Sequence, residues 1–185
     1  PKPLQQNGPP IWVAARDPNS HEFAINNSCN VQVTPLWQDY NEVQDLIMKF
    51  NSAKKRYNPQ SQSKIMLLQH TYVSDEKNEL DEAAKKFSEF YAHFGAWFQN
   101  QRPVNQASIK KLSSKELSLL DMYAPEKMKK NLLFGTIDEV TSRLKDYEKL
   151  GYDEFSYWID SGMSYDEKVS SLNNFIQRVM PAFKS

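Results

Sequence analysis

At 185 residues the chain is long enough to bury a sizeable core as one domain. Its 23 Lys+Arg balance 23 Asp+Glu, so no net field draws nucleic acid or an anionic membrane, and neither is expected as a partner. No apolar run reaches the length of a membrane span and no signal peptide is visible. The single Cys29 excludes an internal disulfide framework and fits a reducing, cytoplasmic setting. His21, His70 and His93 are scattered without a second ligand at metal spacing, so no metal site is expected.

Residues 1–10 are Pro-rich and read as an extended, polyproline-like connecting segment. The chain opens at Pro1 without a methionine, as an internal stretch of a longer protein or a processed chain does. Ile11 to Ala15 is a short apolar, β-rich run that predicts a strand. Asp17-Pro18 starts a helix to about Asn27, with Asp as N-cap and Pro where its missing N–H costs nothing. Asn30–Leu36 alternates as a second strand until Pro35 ends it. Asp39 caps a helix to about Tyr57, with Val43, Leu46, Ile47 and Phe50 at helical spacing. After a polar loop, Ile65–Ser74 predicts a long third strand. A long amphipathic helix follows, from Ser74 or Asp75 to about Gln101, dense in aromatics from Phe87 to Phe98.

Residues 102–133 read as an irregular, insertion-like loop with a short helix near Ser114–Tyr123. The run Phe134 to Val140 opens another helix, with Thr136 and Glu139 as a capping box and Gly151 as its end. Asp153–Asp160 is a fourth strand. Ser164 and Glu167 make a second capping box, opening a last helix that Pro181 stops. Four strand–helix units in succession argue for parallel strands with helical crossovers, as half of an eight-stranded barrel or as a small open sheet.

The junction after the first strand has a chemistry of its own. The N–H groups of a first helical turn and the positive end of its dipole make a place for an anion. Arg16 adds a cation beside it, Ser20 a hydroxyl, and Asn19 and Ser20 their backbone N–H groups.

Two regions together resemble the bacterial luciferase-like family of flavin-dependent monooxygenases. One is Pro-Lys-Pro-Leu-Gln-Gln followed by Pro-Pro-Ile-Trp-Val-Ala-Ala-Arg-Asp-Pro-Asn-Ser and Glu-Phe-Ala. The other is Phe-Gly-Thr-Ile-Asp-Glu-Val, then Leu-Gly-Tyr-Asp-Glu-Phe from Leu150, closing with Phe-Ile-Gln-Arg-Val-Met-Pro. The resemblance spans residues 1–185 and implies an α/β fold, the carboxyl-terminal half of a (β/α)8 TIM barrel. It implies reduced FMN supplied by a separate flavin reductase, molecular oxygen as co-substrate and a small organic substrate. The family's phosphate-binding turn falls here on Ala14, Ala15, Arg16, Asp17, Asn19 and Ser20, and Asn27-Ser28 stands where the family commonly has a glycine.

No catalytic residue is assigned to this chain, because the family's catalytic histidine and reactive loop come from the other half of its barrel. His70, Tyr72, Tyr157 and Trp158 are read as packing. The aromatic helix and the 102–133 loop are expected to wall the substrate side. Four strands curved as in a barrel would expose an apolar face and unpaired edges. A missing amino-terminal half, or a second copy of the chain, is therefore expected to close the barrel. On this reading the chain is part of an FMN-dependent monooxygenase of bacterial type, inactive by itself. The alternatives are a non-catalytic flavin-binding or self-assembling half-barrel, and an open-sheet domain without flavin.

Overall fold

The computed structural model describes residues 3–6, 8–99, 102–159 and 162–183. In chain order the elements are β1 (Trp12–Ala14), α1 (Pro18–Asn26), β2 (Asn30–Val33), α2 (Tyr40–Tyr57), β3 (Ile65–Val73) and α3 (Lys77–Phe98). Then come β4 (Val104–Asn105), β5 (Ser108–Ile109), α4 (Ser114–Ser118), α5 (Pro125–Asn131), β6 (Leu133–Gly135), α6 (Ile137–Leu150), β7 (Glu154–Trp158) and α7 (Tyr165–Asn174). The chain divides into two compact units, one running to Gln69 and including Leu144–Tyr157, the other comprising His70–Arg143 and the chain from Trp158 onward.

In the first unit β1, β2 and the start of β3 pair in parallel, Trp12 opposite Asn30 and Val31 opposite Ile65. β7 also pairs with β3. Alternation decides the faces of β2: Val31 and Val33 are buried, while Asn30 and Gln32 are only partly so. On α2 the helical spacing buries Val43, Leu46, Ile47 and Phe50 as expected, and Ala53 with them. Each large side chain fully buried in this way contributes about 1.5–3 kcal/mol. The unit is fastened where the chain returns to it. The Asp153 carboxylate accepts the Ile65 N–H at 2.8 Å, and the Tyr152 hydroxyl donates to the Val43 carbonyl at 2.7 Å. Burial pushes the Tyr152 phenol well above its ordinary range.

The opening segment departs from the polyproline expectation. Gly8 donates its N–H to the Gln5 carbonyl at 3.1 Å with φ +73°, which makes a turn that glycine can enter without strain. Pro1, Lys2 and Asn7 lie outside the described residues.

In the second unit the end of β3 pairs in parallel with β6, Thr71 opposite Leu133 and Val73 opposite Gly135. The sequence reading took Phe134-Gly135 into the opening of a helix, whereas they end a strand. Three residues carry no alternation to read, and the strand exists because the edge of β3 offers it a ladder. Gly135 is required next to it: a Cβ there would sit 2.7 Å from the Glu139 carboxylate, which reaches back to the Thr136 N–H at 2.8 Å.

α3 begins at Lys77, two to three residues later than expected, because Ser74 is spent in a turn. Its hydroxyl accepts the Glu76 N–H at 3.0 Å and donates to Glu79 at 2.7 Å. The expected limits at Gln101 and Asp160 lie outside the described residues. Near the end of α3, Gly95 presses against Tyr123, whose hydroxyl lies 2.1 Å from where a Cβ would stand.

Residues 102–133 are more ordered than a loop. They hold the β4–β5 hairpin, turned through Gln106 (φ +47°) and Ala107 (φ +58°), then α4, a 3-10 turn at Asp121–Tyr123, and α5 with Pro125 in its first turn. α5 was not foreseen. Its surface is charged, and only Met128 and the following Leu132 carry its burial. α7 is anchored to β3 through the Ser171 hydroxyl, which accepts the Val73 N–H at 2.8 Å. Its continuation widens into a π turn over Phe175–Val179 and tightens to a 3-10 turn at Met180–Phe183, where Pro181 has no N–H to extend an α-helix.

Candidate functional site

The turn between β1 and α1 is fixed from both sides. Ala15 is buried and donates its N–H to the Gln32 carbonyl at 3.0 Å, which ends the strand ladder. Asp17 then turns extended (φ −98°, ψ 158°) and caps α1, with Pro18 in the first helical turn. Ala14, Asp17 and Asn19 are exposed; Arg16 and Ser20 are half-buried.

The donors assigned to an anion are all present, and an anion already sits on them. One Asp17 carboxylate oxygen accepts the N–H groups of Asn19 and Ser20 at 3.0 and 3.1 Å, and the other accepts the Ser20 hydroxyl at 2.5 Å. The Ser20 hydroxyl and backbone N–H hold the Asp17 carboxyl below its ordinary range. The Arg16 guanidinium is engaged by Glu42, 2.7 Å away in the first turn of α2, while its Nε is buried with no partner among the described residues. Two N–H groups, a hydroxyl, a guanidinium and a helix dipole suit a phosphate, provided that the exposed Asp17 side chain rotates away from the helix end.

Sequence reasoning did not find Glu42, since a partner 26 residues away is a property of the packing. Nor did it find the state of His21. Its ring is fully buried edge-on to Phe50 with neither nitrogen partnered among the described residues, and desolvation, with Lys49 nearby, lowers its pKa. Ser28 adopts φ +55°, the left-handed conformation a glycine would take, at the position where the resemblance pointed to one.

In the second unit, His70 is fully buried. Its Nδ1 lies 2.6 Å from the Tyr91 hydroxyl and its ring stacks on Trp158 at 3.9 Å. Burial raises the Tyr91 phenol far above its ordinary range. The aromatic end of α3 forms a ladder, Phe90 stacked on Phe94 and Phe94 on Phe98, with centroids 5.9 and 5.7 Å apart. Trp97 and Phe98 remain largely exposed. Among the described residues, no group of three His, Cys, Asp or Glu could hold a metal ion, and no helix is long and apolar enough to cross a membrane.

The parallel β/α order finds its counterpart among known proteins. The model of the luciferase-like monooxygenase family matches residues 1–154, and the chain belongs to that family. Over 183 residues it is 53% identical to the oxygenase component of the flavin-dependent trigonelline monooxygenase of Acinetobacter baylyi, a match covering 99% of this chain and 51% of that protein. Monooxygenase RslO1 from Streptomyces bottropensis superposes with a TM-score of 0.66 at 20% identity, over 100% of this chain and 51% of its own. The coenzyme F420 dependent tetrahydromethanopterin reductase from Methanopyrus kandleri does so at 0.66 and 15% identity, over 95% and 51%. The chain thus spans about half the length of the relatives it matches. The α/β fold expected from the sequence, β/α units of a luciferase-like barrel, is the fold found.

Proposed function

We propose that this chain is part of the oxygenase component of a flavin-dependent monooxygenase that uses reduced FMN and molecular oxygen to oxidise a small organic substrate. The observation that carries this reading is the 53% identity, sustained over 183 residues, to an oxygenase component that acts on trigonelline. Trigonelline is accordingly the first substrate to test. A separate reductase would supply the reduced flavin, and the half of the barrel absent from this chain would close the sheet and complete the active site.

When bound, the reduced flavin supplies the activation of oxygen. The share of this chain is to hold it. Asn19 and Ser20 would offer N–H groups and a hydroxyl to the FMN phosphate once Asp17 swings out, and Arg16 would balance its charge. A flavin in place of a deazaflavin follows the flavin-dependent oxygenase relative, since the F420-dependent reductase shares only the fold, and FMN among flavins is what the family resemblance implies.

The test joins this chain to its complementary half and supplies FMN, a flavin reductase, a nicotinamide reductant and air. Trigonelline-dependent formation of a product one oxygen heavier, abolished when F420 replaces FMN, is the expected result. Tight FMN binding with no oxidation of any supplied substrate would favour a flavin-binding protein without turnover.

A further inference from the structure

The inner face of α1 is made by His21, Ala24 and Ile25, at i, i+3 and i+4. Ala24 and Ile25 are what such a face requires, and His21 is not. Its ring is 0% exposed and stands edge-on to Phe50 of α2, with centroids 6.4 Å apart. Neither ring nitrogen has a hydrogen-bond partner among the described residues. A buried polar side chain left in this state costs stability that an apolar one of its size would not. His21 directly follows Ser20, whose N–H and hydroxyl are among the donors assigned to a phosphate. It is also the first buried side chain of α1, so it seats the ligand end of the helix.

The charges around His21 are already committed elsewhere. α1 packs on α2, β1 and β2, and neither strand carries an ionisable side chain. From α2 come Lys49 and Asp45, which pair with each other at 2.5 Å. On α1 itself stand Asp17, spent on its own first turn, and Glu22, whose carboxylate takes the Tyr57 hydroxyl. The dry surroundings first, and Lys49 second, disfavour the imidazolium, and the pull of Asp17 and Asp45 does not offset them. A phosphate that displaces Asp17 puts one anion in the place of another and brings the buried ring no acceptor.

We propose that neutral His21 is a positioning residue for the phosphate-binding end of α1, and that its protonation in mild acid frees this end from α2 and releases FMN. A buried ring that gains a proton must reach water. It can do so only if the first turns of α1 lift. Asn19 and Ser20 then leave the place where their N–H groups converge. The inference rests on the phosphate site proposed above for this helix start. The exposed imidazole titrates at its ordinary 6.5 and the buried one lower, so docking of α1 is full above 6.5 and weakens as pH falls below it.

The test uses the chain joined to its complementary half. Between pH 7.5 and 5.5 the exposed imidazole takes up nearly a full proton, so opening of α1 should rise by up to about tenfold. Hydrogen exchange, corrected for intrinsic rates, should show a loss of protection of that size over the α1 amides, and none in His21→Leu. FMN release should quicken across the same range at least about threefold more in the parent than in His21→Leu. The phosphate of FMN itself titrates at about 6, equally in both proteins, and cancels from the comparison. Should leucine's branching not suit the site, the unbranched His21→Met removes the titrating ring in its place. Unchanged α1 protection in the parent, or a His21→Leu protein as acid-sensitive as the parent, would overturn the proposal. FMN held no more tightly than riboflavin at pH 7.5 would instead remove the phosphate site, and exchange at α1 would still decide whether His21 positions the helix end.

Discussion

The starts of α1 and α7 look alike in sequence, an oxygen-bearing side chain placed just before a helix, yet they differ in what they can still bind. At α7, Ser164 and Glu167 close a reciprocal box. The Ser164 hydroxyl accepts the Glu167 N–H, the Glu167 carboxylate accepts the Ser164 N–H at 2.8 Å, and Lys86 locks that carboxylate with contacts of 2.5 and 2.7 Å. At α1 a single exposed carboxylate closes the helix end, and among the described residues no cation pairs with it. A cap held by an ion pair from another element is part of the framework. A cap that holds only its own first turn is a place-holder, which an arriving phosphate can displace.

The largest effect should come from unlocking α7. Glu167→Ala removes half of the box and the Lys86 pair, and should lower unfolding free energy by about 1–2 kcal/mol in a urea titration. Glu167→Gln, which keeps the box acceptor, should cost less. Acid should act on the same group. The Lys86 contact leads in lowering the Glu167 carboxyl from 4.5 to about 2, with the Ser164 hydroxyl and N–H adding to it. A carboxyl depressed in the folded state contributes stability that is full above 4.5 and lost as pH falls toward about 2. The stability of the parent should therefore drop more steeply across that window than that of Glu167→Gln, as measured by urea midpoints at successive pH values.

The effects at α1 should be smaller and appear in binding. Ser20→Ala should weaken FMN by about two- to tenfold in the completed oxygenase and leave riboflavin, which lacks the phosphate, unchanged. Asp17→Ala should do the reverse, tightening FMN by about two- to fivefold while slightly lowering the melting temperature, because the place-holder is gone and the dipole remains. If Asp17→Ala weakened FMN as much as Ser20→Ala, the carboxylate would be part of the site and the contrast between the two helix starts would fall.

Much of the fold was legible, and for reasons that particular residues make plain. The α2 stripe from Val43 to Phe50, the alternation of Val31 and Val33, and both foreseen capping boxes are signals contained within a few residues. β6 was illegible because Leu-Phe-Gly is a strand only beside Thr71–Val73, more than sixty residues earlier. α5 hid within a charged run in which one buried Met128 does the anchoring. At the candidate site the sequence located the donors, but it could not decide between cap and anion, since both claim the same N–H groups. Glu42, which takes up Arg16, was beyond its reach.

The contact between Gly95 and Tyr123 reaches past this one chain. With the hydroxyl 2.1 Å from the place of a Cβ, the two positions behave as a single letter of sequence, written as a pair. A relative that bears any side chain at the first should carry a shorter residue at the second, and large residues at both should not occur together. A drift in one position would have to wait for the other, so this notch in α3 should change in steps across the family while the surface around it changes freely.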